Sequence, residues 1–219
     1  MHNALLLYKQ LSLRFGEAGR LLPFDDGAMT HILSYGEKLG IQPLQNTSDD
    51  LMPAETSGKI KQDHEYKRLG TVSLLDGIDL QTGDAIPLVS DTHNSSDYIA
   101  FLKILDDKYP KGNKIRLILD NLRVHSSQKT SEYLETYLDR FEFVFTPKHA
   151  SWLNLVEGFF SKMTKQVLHI IRVDLKEEPQ ERIYKYFDEI NADPVMYHWG
   201  WNLHDVDPNE DVKVQTLIS

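Results

Sequence analysis

The sequence predicts an α/β protein in which helices flank a mixed β-sheet. Short apolar runs and amphipathic patterns follow one another in the order strand, strand, strand, helix, strand, helix, strand, helix, helix. The run Ile115–Leu119 is continuously apolar and bounded by charged residues, which is typical of a strand buried on both faces. At 219 residues the chain has the length of one domain, so a single sheet covered by helices is the expected architecture.

The amino-terminal half supplies the first three strands. The predicted elements are a helical pattern at Leu5–Phe15, a short strand at His31–Tyr35, a polar loop at Gln45–Lys61, and strands within Gly70–Asp79 and at Ala85–Val89. Gln81-Thr-Gly83 separates the last two, and a short connection with glycine predicts a tight turn. These two strands are therefore expected to be antiparallel neighbours.

The carboxyl-terminal half alternates helices with strands. Asn94 or Ser95 is a favourable N-cap, the following apolar residues recur at helical spacing, and Pro110 ends the helix. The later predicted elements are a helix at Ser127–Leu138, a strand at Phe141–Phe145, an amphipathic helix at Leu153–Leu168 and a last helix at about Pro179–Ala192.

Composition narrows the classes of function. The chain has no cysteine, which excludes disulfides, thiolate metal sites and cysteine nucleophiles and favours a reducing, cytoplasmic compartment. It has no run of about 18 apolar residues and no basic leader, so we expect a protein that is neither secreted nor membrane-spanning.

The charge is unevenly distributed. The net charge of -9 is the wrong sign for a protein that binds DNA through phosphate contacts. Residues 173–211 hold 11 acidic and 3 basic residues, so this segment alone carries -8. Residues 140–172 hold five basic residues and two acidic ones, which leaves room for a local basic face.

Two carboxylates are candidates for chemistry. Asp120 directly follows the buried run Ile115–Leu119, and open α/β sheets bind ligands at the carboxyl ends of their strands. Glu157 lies between apolar residues of a predicted helix, where a carboxylate is costly unless it is paired or bound to metal. Each residue also has a purely structural interpretation. Asp120 could cap the strand, and Glu157 could be a boundary residue that reaches solvent. Together the two would suit Mg²⁺, which prefers oxygen ligands.

Longer stretches of sequence resemble one known family. They are Leu117-Ile-Leu-Asp-Asn121, His125, Phe145-Thr-Pro-Lys-His-Ala-Ser-Trp-Leu-Asn-Leu-Val-Glu157, His64-Glu-Tyr-Lys-Arg-Leu-Gly-Thr71, Gly77-Ile-Asp79 and Asn191-Ala-Asp-Pro194. In these stretches the chain resembles the bacterial insertion-sequence transposases related to the mariner group, which belong to the DDE superfamily. The resemblance covers about residues 8–199.

The resemblance implies a ribonuclease-H-like fold, with a mixed five-stranded sheet, and a metal site for two Mg²⁺ or Mn²⁺ ions. Asp120 matches the family's second metal ligand and Glu157 its third. The first ligand is an Asp in a Ser-Tyr-Asp-Glu-Lys pattern, and the matching stretch here is Ser34-Tyr-Gly-Glu-Lys38, so Gly36 occupies that position. Since side chains alternate along a strand, Glu37 is expected to face away from the site, whereas Asp76 on the next strand remains a possible neighbour.

Further residues are predicted to contact DNA. His125 is expected either to touch substrate or orient a ligand, or to cap a helix. Lys148 and His149 precede the third-ligand helix and Lys162 and Lys165 lie on it, so all four are candidate phosphate contacts. The resemblance implies transposon ends and target DNA as partners and makes a homodimer possible.

The predicted domain organisation has three segments. Residues 1–30 are a lead-in, residues 31–172 form the catalytic domain, and residues 173–219 form an acidic helix and tail packed on it. Family members carry helix-turn-helix domains before the catalytic domain, whereas about 30 residues precede the first strand here. We therefore expect a truncated element, a relic copy or a catalytic fragment.

Three functions are compatible with these observations. The first is a DDE-type transposase catalytic domain that cleaves DNA and transfers strands, impaired because Gly36 replaces an Asp. The second is a catalytically inactive remnant that binds DNA or oligomerises. The third is a metal-dependent nuclease of the same fold that cleaves without joining.

Overall fold

A computed structural model describes the sheet and the helices that cover it. The described residues are 29–46, 66–68, 70–120, 125, 127–137, 139–145, 155–168, 178–195 and 214–215. The predicted helix at Leu5–Phe15 and the candidate contacts Lys148 and His149 lie outside them. None of the helices in the described ranges is long and apolar enough to cross a membrane.

The described elements follow the predicted order. The strands are β1 (Thr30–Ile41), β2 (Leu44–Asn46), β3 (Tyr66–Arg68), β4 (Val72–Asp79), β5 (Ala85–Ser90), β6 (Lys114–Leu119), β7 (Phe141–Phe145) and β8 (Val214–Gln215). The helices are α1 (Ser95–Lys108), α2 (Gln128–Glu135), α3 (Leu155–Gln166) and α4 (Glu178–Asn191).

The main sheet is mixed, as predicted. Its order is β5-β4-β1-β6-β7-β8. β1 pairs antiparallel with β4 and parallel with β6, so it is a central strand whose two edges are both hydrogen-bonded. The five expected strands are confirmed, and the two-residue β8 adds a sixth strand beside β7.

Helices cover both faces of the sheet. α1 and α2 pack on one face, which we call the α1/α2 face, where Leu33, Tyr35 and Leu117 meet the apolar side of α1. α3 and α4 pack on the other, the α3/α4 face, where Leu74 and Ile78 join Val156, Phe160, Ile183 and Phe187. Each face buries its own cluster of large side chains, and burial of this kind is the main stabilising contribution in such a fold.

Local sequence explains where α1 begins. The Asn94 side chain accepts a hydrogen bond from the backbone N–H of Ser96, and the Asp97 carboxylate accepts one from the backbone N–H of Asn94. This reciprocal capping satisfies donors that would otherwise be unpaired at the first turn. The N-cap prediction at Asn94 or Ser95 is confirmed at Asn94.

Four elements differ from the prediction. β1 is longer than His31–Tyr35, because antiparallel pairing with β4 holds Gly36, Glu37 and Lys38 extended despite their weak strand propensity. Part of the expected loop after Gln45 forms a second sheet, in which β2 pairs with β3. Strands of two or three residues, such as these and β8, are too short to show a periodic pattern.

Side chains from α4 close the outer edge of β5. The backbone N–H of Ala85 donates to Asn191 Oδ1 and its carbonyl accepts from Asn191 Nδ2, at 2.9 and 2.8 Å. The backbone N–H of Val89 donates to the hydroxyl of Tyr184 at 3.1 Å. Pro87, between them, has no N–H to satisfy. The acidic helix predicted for the carboxyl-terminal segment therefore packs directly on the edge of the sheet.

Candidate metal centre on the face covered by α3 and α4

The backbone register brings three of the relevant positions to one side of the sheet. Gly36 of β1 is the cross-strand partner of Asp76 of β4. On the other side of β1, Ser34 is level with Ile118, and Asp120 directly follows the end of β6. Because side chains alternate, Asp76 and Gly36 share the α3/α4 face, and Asp120 follows Ile118 by two residues on that side. The position of the family's first metal ligand therefore lies beside Asp76 and on the same side of the sheet as Asp120.

Gly36 lies directly beneath α3. A Cβ atom added to Gly36 would be 2.4 Å from Cγ1 of Val156 and 3.2 Å from Cε2 of Phe160. The start of α3 is held there by a hydrogen bond from the backbone N–H of Val156 to the Ser34 hydroxyl, at 3.1 Å. Val156 thus fills the space above Gly36 that a side chain would need, so the missing carboxylate is accompanied by tight packing rather than by an open cleft.

Asp120 and Glu157 interact electrostatically at the edge of this space. Burial raises the pKa of the Glu157 carboxyl, the negative charge of Asp120 raises it further, and Lys38 opposes both. Both carboxylates retain solvent access, with the Asp120 side chain 47% exposed. Two like charges held close together at the carboxyl end of a strand favour a cation between them.

A divalent cation fits this pair only in part. Asp120 and Glu157 offer hard oxygen ligands with room for water, as Mg²⁺ or Mn²⁺ requires. Gly36 contributes no ligand, and across the described ranges no group of three or more His, Asp or Glu side chains is arranged to hold a metal ion. The geometry therefore supplies two of the ligands of the expected site.

Asp76 is the unusual carboxylate on this face. Its side chain is fully buried, and neither of its oxygens has a hydrogen-bond partner among the described residues. Burial raises its pKa to about 8, while the nearby backbone amides of Ile86 and Gly77 act in the opposite direction but form no hydrogen bond of normal geometry with it. Burial raises the pKa of the Tyr186 hydroxyl on α4, and the nearby Asp76 raises it further. This hydroxyl donates its hydrogen bond to Gln166 and not to Asp76.

Glu37 lies on the α1/α2 face, as predicted from strand alternation. Its carboxylate accepts a hydrogen bond from the Tyr35 hydroxyl at 2.5 Å and is in contact with Nε2 of His93 and, at 3.3 Å, with Nε2 of His125. Burial alone would raise the pKa of Glu37, but these partners outweigh it and lower the pKa. Glu37 is a fully partnered buried carboxylate.

His125 links this network to the candidate metal centre. Its ring is buried, Nδ1 is 3.0 Å from the backbone carbonyl of Asp120, and Nε2 faces Glu37. A doubly protonated ring would donate to both oxygens. The ring of His125 thus contacts the backbone of Asp120 on one side and Glu37 on the other. His93, which shares Glu37, was not singled out by sequence, since an isolated His in a loop carries no pattern.

Of the four predicted phosphate contacts, two lie among the described residues. Lys162 and Lys165 lie on α3 and are exposed to solvent. They follow Glu157 on the same helix, within three turns of it.

Solved structures identify the class of fold. The Mos1 transposase paired-end complex with the left transposon end is 15% identical and has a TM-score of 0.52, over 90% of this chain and 54% of that one. The mariner Mos1 paired-end complex with Mg is 17% identical with a TM-score of 0.51, over 77% and 50%. A simian T-cell lymphotropic virus intasome complex is 11% identical with a TM-score of 0.50, over 86% and 59%. The predicted ribonuclease-H-like fold is confirmed.

The family is established by sequence. Residues 43–178, more than half of the chain, match the model of the DDE superfamily endonucleases, and the chain belongs to that family. An insertion element IS630 uncharacterized 39 kDa protein of Shigella sonnei is 30% identical over 82 residues, which are 37% of this chain and 24% of that protein. The matched region thus spans about a quarter of this relative. Asp120 and Glu157 lie inside the family match, whereas Gly36 precedes it.

Proposed function

We propose that this chain is a DDE-type transposase catalytic domain, which cleaves DNA strands and joins the freed 3′ hydroxyl to target DNA, and that Gly36 impairs it. The observation that carries the proposal is the convergence of Asp120 and Glu157 on the α3/α4 face, at the level of Gly36. The fold and family provide the setting, but neither shows activity. The DNA of the Mos1 complexes supports transposon DNA as the partner.

The chain's own residues have distinct parts in this chemistry. Asp120 and Glu157 would supply the ligand oxygens, and a cation between them would offset the repulsion between their two negative charges. His125 fixes the backbone of Asp120 from the opposite face. Lys162 and Lys165 would neutralise phosphates beside the site. A pair of divalent ions, when bound, would activate the attacking oxygen and stabilise the leaving one.

A second function is supported by Val156. Because its side chain occupies the space above Gly36, the described arrangement has the packing of an intact core rather than of an open catalytic cleft. This favours a catalytically inactive remnant that binds DNA or pairs with an active transposase. Such a remnant would retain the fold and the basic residues of α3 but would not cleave.

Nicking of supercoiled DNA in Mg²⁺ and Mn²⁺ distinguishes the two functions. The structure requires that Gly36→Asp be combined with Val156→Ala, because aspartate alone would collide with Val156. The proteins to compare are the unaltered chain, Val156→Ala, and Gly36→Asp with Val156→Ala. Glu157→Ala in the last background is the control for contaminating nuclease.

The expected result is weak nicking by the unaltered chain and a rate at least about 100-fold higher for the Gly36→Asp, Val156→Ala protein, abolished by Glu157→Ala. Such a gain corresponds to about 2.7 kcal/mol of transition-state stabilisation. If the double variant is folded and binds DNA but does not nick, the assignment of the site is wrong and the inactive remnant is favoured. Joining of a 3′ end to target DNA then separates a transposase from a simple nuclease.

A further inference from the structure

Glu37 is the buried acid that directly follows the position of the missing ligand. It adjoins Gly36 in β1, but its side chain lies on the opposite, α1/α2 face and is 2% exposed. Its oxygens contact the Tyr35 hydroxyl and Nε2 of two histidines. His93 comes from the connection between β5 and α1, and His125 comes from the connection between β6 and α2. Glu37 therefore joins β1 to the two connections that follow β5 and β6.

The ring of His125 is held both by packing and by polar contacts. Its side chain is 1% exposed, and it packs against the rings of Tyr35 and Tyr98, with centroids 5.4 and 4.8 Å away. Nε2 lies 3.3 Å from Glu37 Oε1, and Nδ1 lies 3.0 Å from the backbone carbonyl of Asp120. The partner of one imidazole nitrogen decides what the other can donate. Glu37 thus fixes the ring in the orientation that presents Nδ1 to Asp120.

Asp120 lies just beyond the part of the sheet that strand pairing holds. The described pairing of β6 ends at Ile118 with β1 and at Leu119 with β7. The contact with His125 therefore acts on the first residue after the strand. The Asp120 side chain is 47% exposed, so packing alone does not set the direction of its carboxylate. Holding the carbonyl of this residue restricts the backbone from which the carboxylate projects.

We propose that Glu37 is a positioning residue for Asp120, and that it acts through His125 from the opposite face of the sheet. The proposal rests on the proposed function, because Asp120 has a chemical part only there. Glu37 is buried on the other face and touches no reacting atom. His93 contacts its second oxygen, which keeps the first directed at His125. Groups that orient a ligand in this indirect way commonly change activity by about 10- to 100-fold.

Asp106 provides the matched control. It is a second buried acid on the same side of the sheet, near the end of α1, and it accepts hydrogen bonds from Nε of Arg140 at 2.9 Å and from Nζ of Lys111 at 2.7 Å. Asp106→Ala therefore removes a partnered buried acid, as Glu37→Ala does, but leaves the residues around His125 unchanged. A purely structural Glu37 predicts the same behaviour for the two variants.

The carbonyl ¹³C resonance of Asp120 tests the contact without metal or DNA. Spectra of the full chain in chelator are compared for the unaltered protein, Glu37→Ala, Glu37→Gln and Asp106→Ala. We expect the Asp120 resonance to move upfield in Glu37→Ala, because a carbonyl that loses a hydrogen bond becomes more shielded, and to stay in place in Asp106→Ala. Glu37→Gln should also keep the unaltered shift, since its amide can turn to donate to Nε2 of His125 and leave Nδ1 as the donor to Asp120. An unchanged shift in Glu37→Ala overturns the proposal.

Glu37→Asp covers the case in which Glu37→Ala folds poorly. It keeps the charge but withdraws the carboxylate from His125 by one methylene, so the Asp120 resonance should move in the same direction. An Asp120 resonance that stays in place in folded Glu37→Asp counts against the proposal in the same way.

DNA nicking supplies the functional readout. Each change at Glu37 and Asp106 is placed in the Gly36→Asp, Val156→Ala protein, and the rate is measured at saturating DNA in Mn²⁺. We expect Glu37→Ala to lower this rate at least about tenfold with the affinity for DNA unchanged, and Glu37→Gln and Asp106→Ala to stay within about threefold. A loss in Glu37→Ala no larger than in Asp106→Ala overturns the role of Glu37 and leaves the proposed function standing. If the parent protein does not nick, the proposed function is overturned, and the Asp120 resonance still decides whether Glu37 positions this residue.

Discussion

Both faces of the central strands bury carboxylates, and two of these, Glu37 and Asp76, are treated in opposite ways. Glu37 on the α1/α2 face contacts Tyr35, His93 and His125, and its pKa is lowered. Asp76 on the α3/α4 face has no partner in the described ranges, and burial raises its pKa to about 8. The protein can therefore satisfy a buried carboxylate with its own groups, and does so on only one side of the sheet.

This contrast separates a partnered buried acid from one that has no partner in the described ranges. A buried charge is stabilised only when hydrogen bonds or an opposite charge replace its lost hydration. Glu37 obtains these from side chains on β1, on the loop before α1 and beyond β6. Asp76 finds neither a hydrogen-bond partner nor an opposite charge among the described residues.

Removing Glu37 should have the largest effect. Glu37→Ala leaves His93, His125 and the Tyr35 hydroxyl without their shared acceptor, and we expect the free energy of unfolding to fall by about 3 kcal/mol. Urea denaturation measures this, with Glu37→Gln, which keeps one acceptor oxygen, expected to lose less. A loss of under about 1 kcal/mol for Glu37→Ala would show that the network contributes little and that the contrast between the faces is overstated.

Replacing Asp76 should have the opposite sign. In chelator at pH 7, Asp76→Leu should raise the free energy of unfolding by about 2 kcal/mol, because it removes a buried carboxyl group without a partner. A destabilisation instead would mean that Asp76 has partners outside the described residues.

The pH dependence of stability should distinguish the same two residues. The pKa of Asp76 is about 8 in the folded state and about 3.9 when unfolded, so between these values the folded state holds a proton that the unfolded state has lost. Stability should therefore fall as pH rises through that window, and Asp76→Leu should flatten the slope. The contribution of Glu37 is present above its unfolded pKa of about 4.3 and is lost as pH falls further. Urea titrations from pH 3 to 9 in chelator check both signs.

A smaller effect is expected at Gly36. Gly36→Ala introduces a Cβ that meets Val156 and should cost about 1 to 2 kcal/mol through overpacking. Val156→Ala alone should also destabilise, but the two substitutions together should cost less than their sum. A double-mutant cycle measures this coupling, and strict additivity would show that α3 does not pack on Gly36 as described.

The smallest effect concerns DNA. Lys162→Ala with Lys165→Ala should weaken DNA binding and reduce the slope of log K against log salt by about 2, since each ammonium that contacts a phosphate contributes about 1. Lys103→Ala with Lys129→Ala, which removes two lysines from α1 and α2 on the other face, is the matched control. Equal losses in both pairs would mean that DNA does not prefer the α3/α4 face.

Sequence could predict the elements whose signals are local. The N-cap at Asn94, the buried run that became β6 and the amphipathic helix that carries Glu157 all follow from short-range patterns, and each is confirmed. Strand alternation alone placed Glu37 on the face opposite Gly36. The family was recognisable because long stretches of residues agree with it, rather than from any short motif.

The remaining features depend on contacts between distant segments. That Val156 fills the space above Gly36 follows from how α3 docks on β1, across 120 residues of chain. Asp76 was only a possible neighbour in the sequence, because its pairing with Gly36 is a matter of strand register. Whether a buried acid has partners is likewise a property of the packed fold, which explains why Glu37 and Asp76 could not be told apart beforehand.

The closed edge of β5 bears on how copies of this protein can meet. An open edge strand offers unpaired N–H and C=O groups to any other extended chain, which is a common route to sheet-to-sheet aggregation. Here Asn191 and Tyr184 occupy the outward groups of Ala85 and Val89, and Pro87 has none to offer as a donor. Joining two molecules into one continuous sheet at β5 is therefore blocked, so two copies of this chain cannot pair along this edge.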